Sequence, residues 1–194
     1  TFCGNGGRCI AAFAYQQGII KENATYEAVD GIHNVSILQK SFNEFHVELS
    51  MCDILSYKLD ENSLLINTGS PHYVKKINNL SELDVNAEGA KIRYDKEISE
   101  DGVNVDFLLN DNGKIRIRTY ERGVENETLA CGTGVTASAI AASLWFGGND
   151  IDVYTQIARL NVKFDRENDH FTNVILSGPA TFVFDGIFIF ATQK

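Results

Sequence analysis

Two segments of this chain, residues 6–17 and 134–146, are so rich in alanine and so apolar around their circumference that, as helices, neither has a face wide enough to offer to solvent. Ile10, Ala11, Ala12, Phe13 and Ala14 fill the first, and Ala137, Ala139, Ile140, Ala141, Ala142 and Leu144 the second. Glycine closes each of them, at Gly18 and Gly147, which is a helix stop signal. Such helices must be wrapped, and the rest of the chain offers strands to wrap them. Phe45, Val47, Leu49 and Met51 alternate with His46, Glu48 and Ser50, and Val103, Val105 and Phe107 alternate with Asn104 and Asp106, the period-two pattern of half-buried strands. Asp111-Asn112-Gly113 supplies the positive-φ residues of a tight hairpin between strands expected at 103–109 and 114–120. Further strands are expected at 63–67, 160–164, 173–176 and 180–190, so the sheet is mostly antiparallel.

The two helices open alike, with Cys3-Gly4-Asn5-Gly6 before the first and Cys131-Gly132-Thr133-Gly134 before the second. One supersecondary unit is therefore repeated, a Cys-Gly-x-Gly loop running into a buried helix. The expected fold is α+β, with two pseudo-symmetric halves, each a curled and mostly antiparallel sheet around its helix. Residues 1–47 with 181–194 form the N-terminal lobe, and 48–180 the C-terminal lobe. The first lobe is short for its counterpart, and the chain begins with Thr1, so this lobe is expected to lack an N-terminal part.

A formal charge of −9 argues against a nucleic-acid backbone or an anionic bilayer as partner, since both would be repelled. No run of eighteen apolar residues and no basic leader followed by an apolar stretch occurs. The four cysteines, at 3, 9, 52 and 131, are neither dense nor paired in spacing, which suits a reducing compartment and hence the cytoplasm. They also lack the C-x-x-C spacing of a zinc site, so no metal is expected. Cys9, inside an apolar helix, and Cys52, after a strand, read as core residues.

For Cys3 and Cys131 the duplicated context points to chemistry. A thiol at a helix N-terminus sits at the positive end of the macrodipole, which favours the thiolate. The adjoining glycines let the backbone approach a ligand and leave N–H groups free to hold a carboxylate. Two such loops in approximate symmetry could set thiols on opposite faces of one carbon. Inverting a stereocentre by deprotonation needs that arrangement, a base on one face and an acid on the other. With no lysine in either loop for a Schiff base, no cofactor is called for.

The chain resembles the diaminopimelate epimerase family, in Phe2-Cys3-Gly4-Asn5-Gly6-Gly7-Arg8-Cys9, in Asn67-Thr68-Gly69-Ser70-Pro71-His72, and in Tyr120-Glu121-Arg122-Gly123 running into Thr128-Leu129-Ala130-Cys131-Gly132-Thr133-Gly134. Ser177-Gly178-Pro179-Ala180 and Phe184-Asp185-Gly186 add a fourth match. The resemblance implies a cofactor-independent epimerase that interconverts LL- and meso-diaminopimelate in lysine and peptidoglycan precursor synthesis. It implies Cys3 and Cys131 as the acid/base pair. Gly4, Asn5, Gly132 and Thr133 would hold the reacting amino acid end, and Arg122, helped by Asn104 and Ser70, the distal carboxylate. Glu121 and His72 would stand beside the reacting centre. Ser70 occupies a position where the family often has asparagine, and the loop at 124–127 is slightly longer than usual.

Blander readings compete. His72 could be a turn residue, Glu121-Arg122 a surface ion pair, and Asn104 a strand residue facing water. The acidic runs at 125–127 and 165–169 read as solvated loops. Other functions to be weighed are a racemase of another amino acid, of the proline racemase type, and an inactive chain with a structural or binding role. The expected partner is a small amino acid; the sequence leaves a homodimer open.

Overall fold

A computed structural model describes residues 2–39 and 41–187. Its helices are α1 (Gly4–Gln16), α2 (Val85–Arg93) and α3 (Gly132–Phe146). The strands are β1 (Asn23–Ala28), β2 (Gly31–Gln39), β3 (Glu44–Ser50), β4 (Tyr57–Leu59), β5 (Ser63–Asn67), β6 (Pro71–Lys76), β7 (Asn104–Asp111), β8 (Lys114–Glu121), β9 (Asn126–Thr128), β10 (Asp150–Tyr154), β11 (Arg159–Glu167) and β12 (His170–Thr181). They hydrogen-bond in one continuous path, β1-β2-β3-β12-β11-β10-β8-β7-β6-β5-β4, with β9 beside β8. Pairing is antiparallel except for β6 with β7 and β10 with β8. The fold is thus the α+β arrangement expected. Among the described residues no helix is long and apolar enough to cross a membrane.

α3 meets the expectation of a wrapped helix. Every residue from Gly132 to Ser143 is buried, packed against β5, β6, β7, β8, β10 and β11. Burying one side chain such as Ile140 contributes about 1.5–3 kcal/mol. α1 departs from it. Among the described residues this helix packs mainly on β2, β3 and β12, with α3 at its N-terminal end, so Gly7, Arg8, Ala11 and Ala12 turn inward while Ile10 and Phe13 are 61% and 50% exposed. Cys9, expected in the core, lies on that open side and is exposed, while Cys52 is half-buried.

Both helices start two residues earlier than the apolar pattern suggested, because Cys3 and Cys131 are themselves the N-caps. The strands expected at 173–176 and 180–190 differ more. β12 runs unbroken through Gly178 and Pro179 and ends at Thr181, residues 182–187 have no regular structure, and 188–190 lie outside the described residues. Gly178 answers close packing here, not a turn: a Cβ there would stand 2.2 Å from Leu160 Cδ2 and 3.3 Å from Arg8 Nε. The run at 125–127 is no free loop either. Glu125 pairs with Arg93, and Glu127, in β9, takes both Nε and Nη2 of Arg118.

Candidate active site

The N-termini of α1 and α3 touch backbone to backbone. A Cβ added to Gly132 would lie 2.9 Å from Gly4 Cα and 3.2 Å from Asn5 N, and one added to Gly4 would lie 3.2 Å from Gly132 Cα. Only glycine allows this approach. Asn5 ties the two loops, its Nδ2 donating to Ala130 O at 2.8 Å. Its Oδ1 accepts from Arg8 Nη2 at 2.9 Å, and Arg8 Nη1 donates to Gly4 O at 3.3 Å. Arg8 is 5% exposed, so burial lowers its pKa, yet it meets no carboxylate among the described residues and its Nε has no partner. The positive ends of two helix dipoles and a buried guanidinium thus converge on one spot, which makes it a place for an anion.

The two cysteines stand unalike at this junction. Cys3 is exposed, its Sγ accepting from Gly6 N at 3.3 Å. Cys131 is buried, and its Sγ lies 3.4 Å from Thr133 Oγ1. Burial above all, then the Asp106 and Glu121 carboxylates, pushes the Cys131 thiol up to about 12.

The strand β7 delivers the polar neighbours. Its apolar residues Val105 and Phe107, with Val103 just before it, are covered by α2 and Tyr120, so the alternate residues Asn104 and Asp106 point to the α3 side, at 4% and 0% exposure. The blander reading of Asn104 as a strand residue facing water is thereby overturned. Asn104 Nδ2 donates to Ser70 Oγ (2.8 Å) and Pro71 O (3.0 Å), and its Oδ1 accepts from Arg122 N (2.9 Å). Ser70, Asn104 and Arg122 are therefore joined in one network. The Arg122 guanidinium donates to Gly102 O at 3.1 Å and pairs with no carboxylate among the described residues, so Glu121-Arg122 is not a surface ion pair. Glu121 instead accepts from Thr128 Oγ1.

His72 is fully buried, not a turn residue at the surface. The register that sets it beside Asn104 on β7 brings its Nδ1 within 2.7 Å of Asp106 Oδ2 and its Nε2 within 2.9 Å of Thr133 Oγ1. Asp106 Oδ1 accepts from Thr119 Oγ1 at 2.7 Å. Asp106, Thr119 and Arg8 escaped the sequence reading. So did His33, whose ring bonds Asp30 and Ser50 O and stacks on Phe2. Asp30 Oδ2 in turn lies 3.1 Å from where a Gly69 Cβ would be. A surface cleft of about 780 Å³ lies away from all these residues. It is lined by Asp150, Asp152, Arg159 and Lys163, which pair with one another, and by His46 and Glu48, which alternate with the core-facing residues of β3. Among the described residues no cluster could hold a metal ion.

Comparison with known proteins bears on this geometry. The family model for diaminopimelate epimerase matches residues 64–183. The chain is 45% identical to a diaminopimelate epimerase of Flavobacterium psychrophilum over 188 residues, 95% of this chain and 72% of that protein. It is 38% identical to one of Hydrogenobaculum sp. over 195 residues, covering 95% and 69%. Among solved structures, a hydroxyproline epimerase from Agrobacterium vitis superposes with a TM-score of 0.71 at 15% identity, covering 93% of this chain and 65% of that one, a likeness of fold. A glycine contact that joins two cysteine-capped helices, together with relatives of this identity and extent, places the chain in the diaminopimelate epimerase family.

Proposed function

We propose that the chain interconverts LL- and meso-2,6-diaminopimelate by moving the α-proton between two cysteines, without a cofactor. The observation that carries this reading is the contact of Gly4 with Gly132, which sets the caps of two helices side by side. An α-carboxylate at that junction would receive N–H groups from both helices. These donors would stabilise the charge that builds on the carboxylate as the very weakly acidic α-proton leaves. Cys3 and Cys131 would then act from opposite faces of the α-carbon, one as thiolate base and the other as thiol acid, exchanging roles with direction. Gly4, Asn5, Gly132 and Thr133 line the reacting end, and Glu121 and His72 flank it. Arg122, a half-buried cation in want of a carboxylate, is suited to the distal one, whose planar geometry a guanidinium matches. Asn104 and Ser70 would fix its backbone. A substrate with one carboxylate, such as proline, would leave Arg122 unused, which favours the longer diacid.

In this reading the first lobe, residues 1–47 with 181–194, and the second, 48–180, each bring one cysteine loop to the substrate. Free thiols suit a cytoplasmic enzyme, and sedimentation would tell one copy from two.

Liquid chromatography, which separates the two diastereomers, tests the proposal. The wild-type chain, kept reduced, should convert LL-diaminopimelate to the meso form, and Cys3→Ala and Cys131→Ala should each abolish the conversion. Turnover that survives either substitution would contradict the mechanism, and conversion of proline but not diaminopimelate would contradict the substrate.

A further inference from the structure

Cys131 poses a problem that the two-base scheme leaves open. A base must give up its proton, yet this thiol is buried beside two carboxylates, Asp106 on β7 and Glu121 on β8, which oppose a net negative charge on it. Losing that proton to solvent is costly; passing it to a neighbour within the same buried cluster leaves the cluster's charge unchanged.

Resting on the epimerase reading, we infer that Thr133, His72 and Asp106 form an internal proton relay that converts Cys131 from acid to base and back. The relay takes Asp106 as a carboxylate and the His72 ring as neutral at rest, and the hydrogen bonds then run one way. A carboxylate oxygen only accepts, so the contact of His72 Nδ1 with Asp106 Oδ2 at 2.7 Å places the ring proton on Nδ1. His72 Nε2 is then the acceptor, and Thr133 Oγ1, 2.9 Å away, donates to it. The Thr133 oxygen is left to accept from Cys131 Sγ, at 3.4 Å. Thr119 Oγ1 holds the second Asp106 oxygen, and Asn104 Nδ2 stands 3.4 Å from His72 Nε2. Asp106, His72, Thr119 and Thr133 are each at most 3% exposed.

In the forward step the Cys131 S–H proton passes to Thr133 Oγ1 as the hydroxyl proton of Thr133 passes to His72 Nε2. The products are a Cys131 thiolate and an imidazolium facing the Asp106 carboxylate, with no proton lost or gained. The thiolate then takes the α-proton from one face of the substrate. The base step thus ends with Cys131 as thiol and His72 as imidazolium. When Cys131 works as the acid it starts from that protonated cluster, gives its S–H proton to the substrate and regains one from the His72 imidazolium through Thr133. The one proton by which the two states differ is exchanged with solvent between turnovers. Thr133 and His72 are the relay, and Asp106 is a positioning residue that fixes the tautomer and balances the imidazolium, the logic by which a buried carboxylate orients a catalytic histidine. The same group accounts for Gly134, where a Cβ would lie 2.4 Å from Asp106 Oδ1.

Nitrogen-15 NMR of the histidine rings in the whole chain, run beside kinetics of LL-to-meso conversion, tests the relay. Wild type should carry the His72 ring proton on Nδ1. D106N should lower kcat by about 10²–10⁴-fold and move the acid limb of its pH profile, with KM changed less than about threefold. T133V, nearly isosteric and therefore expected to fold, should lower kcat in the same way, while T133S, which restores the hydroxyl, recovers most of it. A proton on Nε2 in wild type overturns the relay whatever the activity. So does a T133V or D106N variant with the kcat and pH profile of an active wild type. A wild-type chain that does not convert diaminopimelate sinks the epimerase reading and any catalytic role for the relay with it, even with the predicted tautomer in the spectrum.

Discussion

Glycine and cysteine mark the site more sharply than any charged residue does. Gly132 faces the backbone of Gly4 with no room for a methyl group, so Gly132→Ala must push the helix ends apart. Displacement by even about 1 Å at a reacting centre can cost 10²-fold. The substitution should therefore lower kcat/KM at least that far while the melting temperature moves little; equal losses in both would mean that the contact serves stability alone. Cys131 makes a second prediction, through pH. Its thiol is raised in the folded chain from the usual 9.0 to about 12, so between those values the unfolded chain has lost a proton that the folded one keeps. Stability from this group is whole below pH 9 and declines as pH rises towards 12, by about 1.4 kcal/mol at pH 10. In urea unfolding, the advantage of wild type over Cys131→Ala should shrink by that amount between pH 7.5 and pH 10, and an unchanged difference would show that the thiol is not held neutral.

Elements with a strong local signal were legible in the sequence, and those defined by what covers them were not. The Asn112-Gly113 turn between β7 and β8 has φ of 51° and 89°, as its residues demanded. No atom lies within 4 Å of a Cβ added at Gly113, so Gly113→Ala meets only the backbone penalty of the left-handed region. It should lose about 1–2 kcal/mol in urea unfolding and keep its kcat; a loss under about 0.3 kcal/mol would mean that the turn relaxes. α2 gave no such signal, because Asn86, Ala87, Glu88 and Lys91 carry little apolar periodicity. It is fixed by its Asp84 cap and by Gly89 set against the Tyr120 ring. Alternation alone does not say which face of a half-buried strand meets a second cover, so the α2 packing of Val103, Val105 and Phe107, and with it the burial of Asp106 on the other face, is not readable from the sequence. Likewise the open side of α1, with Ile10 and Phe13, contradicts a pattern that composition alone would wrap completely.

Across the whole molecule, one path of strands carries both helices and brings residues remote in sequence to a single junction. The repeat of Cys-Gly-x-Gly made the two loops legible, and the family resemblance supplied His72, Glu121 and Arg122. What neither supplied was the order of contacts between them, which depends on the parallel register of β6 with β7 and on which face of β7 meets α3. The central claim is that two different thiols, one from each loop, serve the two faces of one carbon. Early-time isotope content in D₂O tests it most directly: LL-diaminopimelate is turned over by the reduced wild-type chain, and substrate and product are each analysed by mass before a tenth of the substrate is consumed. The account predicts meso product carrying one deuterium and recovered LL substrate still carrying protium, because the thiol that delivers the new proton has equilibrated with solvent and is not the one that removed the old. Product that retains the substrate's own proton would mean a single base serving both faces, and would contradict it.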